Sequence, residues 1–425
     1  MSTLTATPET PAPPARPANG TRTPWVRYLL VGATALLSVA LVRVITGADE
    51  IDSEGSLRAA IVATCPILLA ALGGLWSERA GVVNIGLEGQ MLLGTWGGAF
   101  FTYYFNPWVG LLGAIGFGVV GGLVHAIATV TFGVDHIVSG VALNLIAVGL
   151  TTYLAEAFFT DLDSQYGHGG AQQLTGIAKP PNITIPGLSD AATNLAEKHW
   201  FVVSDLAAGV AALTDRISVV TIIVFVLVAL TGWILWRTTF GLRLRSCGEN
   251  PQAAESLGVN VIRQKYVAVL VSGGLAGLGG GYLALVSSPG FHTNQANGRG
   301  YIGLAAMIFG NWRPGGVLLG SGLFGYTDSL QLRDPKTVHA LLLLIGAGLV
   351  VFAIYRFVKG HRTNAYVLGA FGVGFLVWYF VKDTVPSDFT SMTPYVVTLL
   401  VLAFFAQRLR MPKADGQIYR KGSAG

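Results

Sequence analysis

The stretch VVTIIVFVLVAL (Val219–Leu230) decides the fold class, because it has no charged residue and a single polar one, Thr221. Apolar and polar residues do not alternate along it, as they do in the strands of a membrane barrel. With its neighbours the run is long enough to cross roughly 30 Å of hydrocarbon as an α-helix. The stretch therefore predicts a membrane-spanning helix.

Similar apolar runs recur along the 425-residue chain, which is 52% hydrophobic and only 12% charged. A soluble domain carries about 25% charged residues. We therefore predict an all-α polytopic transmembrane bundle of about 10 to 12 membrane segments, some of them broken or re-entrant helices. The expected segments are 28–45, 57–75, 85–104, 109–132, 137–159, 217–236, 265–286, 301–311, 314–331, 338–355, 365–381 and 394–407.

Two regions depart from a plain spanning pattern. The segment 301–311 is too short to cross alone, and glycines and polar residues interrupt the apolar pattern at 76–90. Irregular backbone at membrane depth is tolerated only where protein or a water-filled cavity surrounds it. Both regions are therefore candidates for re-entrant or broken helices.

Loop charges predict the domain organisation and the orientation. Residues 1–24 read as a disordered Pro-rich tail, 25–410 as the transmembrane domain and 411–425 as a second tail. Lys and Arg concentrate in alternate loops, which places both termini and the loop 237–264 in the cytoplasm and the loop 160–216 outside. The net charge of +5 is therefore explained by membrane orientation, and nucleic-acid binding is not needed to explain it.

Catalytic signatures are missing from the sequence. It has no phosphate-binding GxxxxGK[ST] loop, no GxSxG, no HExxH and no Cys/His cluster, and its two cysteines suggest neither a disulfide framework nor a metal site. We expect no catalytic residue, no bound metal and no cofactor in this chain. An intramembrane enzyme is therefore disfavoured, and solute transport is the default function for so many spans.

The segment Ser77–Gln90 is the first candidate for a functional site. Asn84 is expected to cap a helix that begins at about Ile85, and Glu88 would lie near the positive end of that helix. Transporters build their sites from such broken helices, and an ionisable residue at this depth is a functional candidate. The alternative is that both side chains only stabilise a kinked helix.

The segment Gly298–Gly316 resembles the first one. Ile85-Gly86-Leu87 precedes Met91-x-x-Gly94-x-Trp96, and Ile302-Gly303-Leu304 precedes Met307-x-x-Gly310-x-Trp312. Paired glycine-broken segments in two halves of a chain indicate a transport site. In a chain with 56 glycines, a match this short also arises by chance.

The third candidate is Gly248–Val259, in a basic loop. Asn250 and Pro251 fit the cap and first turn of a short helix, and Gly258 fits its end. A short capped helix is well suited to docking a partner, although an ordinary solvated loop helix has the same pattern.

Several of these motifs resemble, in family order, those of the permeases of ABC importers for nucleosides and simple sugars, within the branched-chain amino acid and ribose-type permease superfamily. The resemblance covers about residues 57–425, and the Pro-rich start and the long 160–216 loop depart from the family pattern. The matching segments are SERAGVVNIGLEG (Ser77–Gly89), Gly241–Pro251, Gly298–Gly310, Asp415–Gly422, and Gln252-Ala253-Ala254-x-x-x-Gly258, which is similar to the EAA loop with Gln where Glu is usual.

The resemblance implies the ABC importer permease fold, a bacterial plasma-membrane location and several partners. These are a second, homologous permease in a heterodimer, a lipid-anchored binding protein outside, and an ATPase that carries ATP and Mg on the cytoplasmic side. The EAA-type loop implies a coupling helix seated in the ATPase. The residues implied for this contact are Asn250, Pro251, Gln252, Ala253, Ala254, Glu255 and Gly258.

The family resemblance also implies nucleosides as the solute. Amide side chains and aromatic rings suit nucleobases, through hydrogen bonds and stacking. In a membrane helix Asn144 has an alternative role, a hydrogen bond to a neighbouring helix. Ribose-like sugars remain an alternative solute, and an ion-coupled secondary transporter using Glu88 and Asp328 is an alternative mechanism. The candidate pathway residues are Asn84, Glu88, Gln90, Trp96, Asn144, Phe291 and Tyr301.

Overall fold

The computed structural model describes residues 24–166, 173–198, 200–330, 335–382, 385–386, 392 and 409–422. The predicted span 394–407 and nearly all of the predicted tail 1–24 lie outside these residues. So do 167–172 and 199 of the predicted loop 160–216.

Fifteen α-helices form the described part of the chain, and seven of them, two with their π-helical extensions, are long and apolar enough to cross a membrane. This confirms the all-α polytopic class. The helices are α1 Pro24–Thr46, α2 Glu54–Arg79, α3 Leu87–Tyr104, α4 Pro107–Ala126, α5 His136–Tyr166, α6 Leu188–Ala196, α7 Val203–Thr214, α8 Val219–Arg237, α9 Thr239–Glu249, α10 Pro251–Ser256, α11 Val261–Tyr282, α12 Arg299–Phe309, α13 Pro314–Ser329, α14 Pro335–Val358 and α15 Arg362–Val381, with π-helical turns Ile127–Thr131 after α4 and Leu283–Ser287 after α11.

Four two-residue strands tie loops together. They are β1 Gln173–Leu174, β2 Asn182–Ile183, β3 Ile217–Ser218 and β4 Phe291–His292. β1 pairs antiparallel with β4, and β2 pairs antiparallel with β3. The loop between α5 and α8 is therefore joined to the loop between α11 and α12.

The core is built around α2 and α11, the most buried of the long helices, with α3 and α4 packed on α11. Glycines allow this close approach, because a Cβ at Gly118 would lie 2.2 Å from the carbonyl oxygen of Gly273. Likewise, a Cβ at Gly280 would lie 2.0 Å from the carbonyl oxygen of Met91. Small residues let membrane helices pack backbone against backbone in this way.

The predicted interruption at 76–90 is a break between two helices. α2 ends at Arg79, non-helical backbone follows, and α3 begins at Leu87. Gly81 turns the chain with φ +81°, a conformation that side chains with a Cβ rarely adopt. The predicted short segment at 301–311 is the eleven-residue α12, which is too short to span alone.

Backbone contacts place distant segments on the same side of the bundle. The amide of Ala414 donates to the carbonyl of Gly248 at 2.9 Å, so the tail 409–422 lies beside the loop 237–264. Arg43, near the C-terminal end of α1, forms an ion pair with Asp205 of the loop 160–216. This arrangement agrees with the predicted alternation of loops, while the identity of the cytoplasmic side stays a prediction.

Candidate solute pathway and coupling surface

Glu88 joins α3 to the start of α12. Its carboxylate accepts hydrogen bonds from the amides of Gly298 and Gly300, both at 2.7 Å. These amides lie at the start of α12, where backbone N–H groups have no partner within the helix. The carboxylate therefore caps α12 and meets the positive end of its dipole.

Asn144 of α5 joins the same place to α3. Its side-chain oxygen accepts from the amide of Gly89 at 2.8 Å, and its amide nitrogen donates to the carbonyl of Ile85 at 3.0 Å and to the Tyr301 hydroxyl at 2.9 Å. Gly86 precedes α3 and has no side chain to cap it. Asn144 therefore satisfies backbone groups at the start of α3 from another helix.

Glu88, Asn144 and Tyr301, with the backbone amides they bind, form what we call the mid-membrane junction. It links α3, α5 and α12 in a closed set of hydrogen bonds. α12 is about 16 Å long, about half the roughly 30 Å of hydrocarbon, so a helix of this length that ends at a membrane face starts near the centre, and we name the junction for this expected position. Glu88 and Asn144 are buried, whereas Tyr301 is 47% exposed.

Asn84 and Gln90 form a second, fully buried network. The Asn84 amide donates to the Gln90 side-chain oxygen at 3.0 Å and to the Ser272 hydroxyl of α11 at 2.8 Å. The prediction that Asn84 caps the following helix is wrong, because α3 starts at Leu87 with Gly86 before it. Its side chain points to α11 instead, where a buried amide needs hydrogen-bond partners.

Trp96 and Phe291 lie in an aromatic cluster separate from the mid-membrane junction. Phe159 connects them, with ring centroids 5.8 Å from Trp96 and 5.5 Å from Phe291. Both residues are buried, and Phe291 belongs to β4, at the paired loops. The structure thus brings together five of the seven predicted pathway residues in two adjoining networks and places these two elsewhere.

Asp328, the other ionisable residue considered for ion coupling, is paired with Arg299. The guanidinium lies 2.8 Å from the Asp328 carboxylate, at the start of α12. The two acidic residues considered for ion coupling therefore both bond to the first residues of α12.

The coupling segment folds as predicted, into a short capped helix. The Asn250 side chain accepts from the amide of Ala253 at 3.0 Å, Pro251 opens α10, and Gly258 ends the turn with φ +80°. Ala254 is buried, while Gln252, Ala253 and the helix-terminating Leu257 face outward. Leu257 is 86% exposed, which makes α10 a small surface with an apolar side chain projecting from it.

The C-terminal tail packs against this helix, which the sequence reasoning did not anticipate. Tyr419 contacts the cluster of Cys247, Ala254 and Val261. Between α10 and the tail lies a groove of about 330 Å³. The tail's Asp-Gly-x-x-Tyr pattern was recognised as a family motif, but its spacing gave no sign of this contact.

Asp415 of the tail reaches toward the end of α2. Both of its carboxylate oxygens are buried without a hydrogen bond of good geometry, although the Glu78 carboxyl lies close to them, and burial raises the pKa of Asp415 from 3.8 to about 7. The neighbouring Glu78 accepts from the Trp312 indole at 2.6 Å, and Arg79 donates to the Trp312 carbonyl at 2.7 Å. We call Glu78, Asp415, Trp312, the tail and α10 the tail junction.

Comparison with known proteins identifies relatives along most of the chain. Residues 56–333 match the family described as branched-chain amino acid transport system / permease component. No solved structure matches.

Three curated relatives are each 34% identical. The guanosine ABC transporter permease protein NupQ of Bacillus subtilis (strain 168) aligns over 86% of this chain and 96% of its own length. The nucleoside ABC transporter permease protein NupC of Lactococcus lactis subsp. cremoris (strain MG1363) aligns over 85% and 95%. The putative glucose ABC transporter permease protein TsgC13 of Haloferax volcanii aligns over 87% and 98%.

Proposed function

The chain belongs to the family of branched-chain amino acid transport system permease components, and we propose that it is the permease subunit of an ATP-driven importer that moves nucleosides inward. The single observation that carries the solute class is the 34% identity, over 85% or more of the chain, to permeases named for guanosine and for nucleosides.

The importer is completed by three partners in this proposal. A second, homologous permease lines the path, and a binding lipoprotein delivers solute from outside. An ATPase, which carries ATP and Mg itself, docks at the tail junction. α10 is the part of this chain that enters the ATPase. Its exposed Leu257 and its short, capped geometry support that role.

Movement of α10 reaches the membrane centre through the break between α2 and α3. Gly81 lies against the tail and against α9, which directly precedes α10, since a Cβ there would be 3.1 Å from the Ala414 carbonyl oxygen and 3.2 Å from the Gly248 Cα. The residues after Gly81 lead directly to α3 and Glu88. ATP-driven displacement of α10 and the tail therefore shifts α3 relative to α12, which is the rearrangement that alternating access needs.

Solute contact in this proposal centres on the mid-membrane junction. Tyr301 presents the most exposed surface there, and its hydroxyl already bonds to Asn144. Asn84, Glu88 and Gln90 are buried and hydrogen-bonded to protein, so they position the helices around the path. Stacking by Trp96 or Phe291 requires the aromatic cluster to open.

Ribose-like or other simple sugars are the second candidate solute. The relative named for glucose is as similar to this chain as the two named for nucleosides. A sugar and a nucleoside share hydroxyl groups that Tyr301 and Asn144 could bind, so the base is the feature that separates the two candidates.

The test is uptake into cells that express the chain with its partners, using labelled guanosine, cytidine, ribose and glucose. Saturable uptake of nucleosides that excess unlabelled nucleoside abolishes, and that excess ribose does not, supports the proposal. Uptake of ribose or glucose alone would replace the solute and keep the importer. Uptake that continues after depletion of ATP, and stops when the proton gradient is dissipated, would replace the mechanism.

A further inference from the structure

Helices α6 and α7 pack against each other and differ in the surface that they expose, because α6 exposes two polar residues beside Leu188 and Ala191 whereas α7 exposes only apolar ones. On α7 the exposed residues lie along one stripe and are all large and apolar, at 41–54% exposure: Val203, Leu206, Val210 and Leu213. The polar residues that α6 exposes are Asp190, in its first turn, and Asn194, one turn later. Spacing of three, four and three residues places the four apolar side chains on one face of a helix.

The other face of α7 is fixed to the bundle. Its buried residues are small, Ala207, Ala208, Ala211 and Ala212, and they face α2 and α6. Packing on the membrane helices therefore fixes which face of α7 points outward. The apolar stripe faces away from the protein as a consequence.

Ion pairs fix the depth of α7. Near its start, Asp205 lies 2.6 Å from Arg43, one turn before α1 ends. Just after its end, Asp215 lies 2.7 Å from Arg58, one turn after α2 begins. α7, about 18 Å long, therefore bridges the last turn of α1 and the first turn of α2.

Helix α1 exposes further apolar side chains close to its ion pair with α7. In the last turns of α1, near Arg43, Leu41, Val44 and Ile45 are 52–62% exposed. Just before α7 begins, at the same end as Asp205, the Lys198 ammonium lies 5.1 Å from the centre of the exposed Trp200 ring. Tryptophan and lysine concentrate where hydrocarbon meets lipid headgroups.

We propose that α7 is an interfacial helix whose stripe inserts into the bilayer leaflet on the side of the loop 160–216. Leu206 and Val210 contact acyl chains, Trp200 and Lys198 lie among headgroups, and α6 stays in water. The occupant of the stripe is lipid, because Asp205 and Asp215 hold α7 at the ends of two membrane helices, and the end of α1 paired with Asp205 exposes apolar side chains of its own. The binding of α7 to the leaflet also holds the outer ends of α1 and α2 in place.

The test is spin-label accessibility on the full-length protein in liposomes. Single cysteines are introduced by Leu206→Cys and Leu213→Cys, with Asn194→Cys and Asp190→Cys as matched controls on the neighbouring helix. Cys65 and Cys247 are buried, so the unmodified protein gives the labelling background. Oxygen reports lipid exposure, and a water-soluble nickel complex reports water exposure.

At positions 206 and 213 we expect strong relaxation by oxygen and weak relaxation by nickel, at a depth of about 5–10 Å below the phosphates. The reverse is expected at 190 and 194. Two results would overturn the proposal: nickel accessibility at 206 equal to that at 194, which means water, or an immobilised label shielded from both reagents, which means a second protein surface. Neither result depends on transport, so the proposed function is tested separately.

Discussion

The mid-membrane junction and the tail junction are built from similar side chains but differ in how completely these are paired. At the first, both oxygens of Glu88 and all of the Asn144 amide have partners. At the second, both oxygens of Asp415 are buried without a hydrogen bond, and Leu257 projects into open space. A satisfied buried network rigidifies its helices, whereas an unsatisfied one favours rearrangement when a partner arrives.

The comparison assigns different roles to the two ends of one path. The mid-membrane junction holds three helix ends in register, and in the proposed importer the tail junction receives the ATPase. Gly81 and the residues up to Gly86 connect them. Four substitutions test whether the two regions differ in this way.

The largest effect is expected from Leu257→Asp at the tail junction. A carboxylate at the centre of an apolar contact removes an interface anchor, so uptake should fall about tenfold or more. Leu257→Met, which keeps the apolar volume, should retain uptake. Uptake assays at matched expression check this, with co-purified ATPase as the second readout. Normal uptake by the Asp variant would remove α10 from the ATPase contact.

Glu88→Gln breaks the mid-membrane junction without changing its shape. The amide cannot accept from both Gly298 and Gly300 as a carboxylate does, so we expect a loss of about 1.5–3 kcal/mol in stability. Thermal unfolding of the purified protein measures the loss, with the exposed Glu156→Gln as the control. ATP-driven uptake should persist, because Glu88 positions helices. A variant as stable as the parent but without uptake would favour a proton-coupled role.

Gly300→Ala forces the same junction open. The added Cβ would lie 2.6 Å from the Cα of Glu88, so α3 and α12 must separate. Overpacking of this kind costs about 1–3 kcal/mol. Gly322→Ala in α13, where nothing lies within 4 Å of the added carbon, is the matched control. Equal melting temperatures for the two variants would mean that close contact between α3 and α12 is unimportant.

The smallest effect is expected from Asp415→Asn, and it depends on pH. Because burial raises the pKa of Asp415 to about 7 from 3.8, the folded state holds this proton more tightly than the unfolded state. Stability from this group therefore falls as pH rises from about 4 to 7. Asparagine mimics the protonated acid, so the variant should lose less stability over that range.

Melting temperature against pH measures this difference. The charged groups facing Asp415 are Glu78, Arg79 and Lys265, and all three are unchanged in the variant. The exposed Asp190→Asn should follow the parent. A parent and an Asp415→Asn variant with identical pH dependence would show that Asp415 is solvated and that the tail is not seated as described.

Spans were predictable because hydropathy is a local property of the sequence. The expected segments at 57–75, 137–159 and 265–286 correspond to α2, α5 and α11 with its π-helical extension. The partners of polar residues were not predictable in this way. Glu88 was expected to favour the positive end of its own helix, but it caps α12, more than 200 residues away along the chain.

The resemblance between the two glycine-broken segments also had limited structural meaning. Ile85 precedes α3, whereas Ile302 lies inside α12. What the two segments share is a helix start at the membrane centre, and they meet there. Sequence alone locates such breaks through glycine and polar residues, but packing decides which helix end each side chain caps.

The most direct test of the central claim is affinity purification of this chain from its native membrane in mild detergent, with mass spectrometry of the associated proteins. The account predicts an ATPase and a second permease in stoichiometric amounts, with the ATPase depleted and the second permease retained in the Leu257→Asp variant. A chain that purifies alone and takes up nucleosides in liposomes without ATP would contradict it.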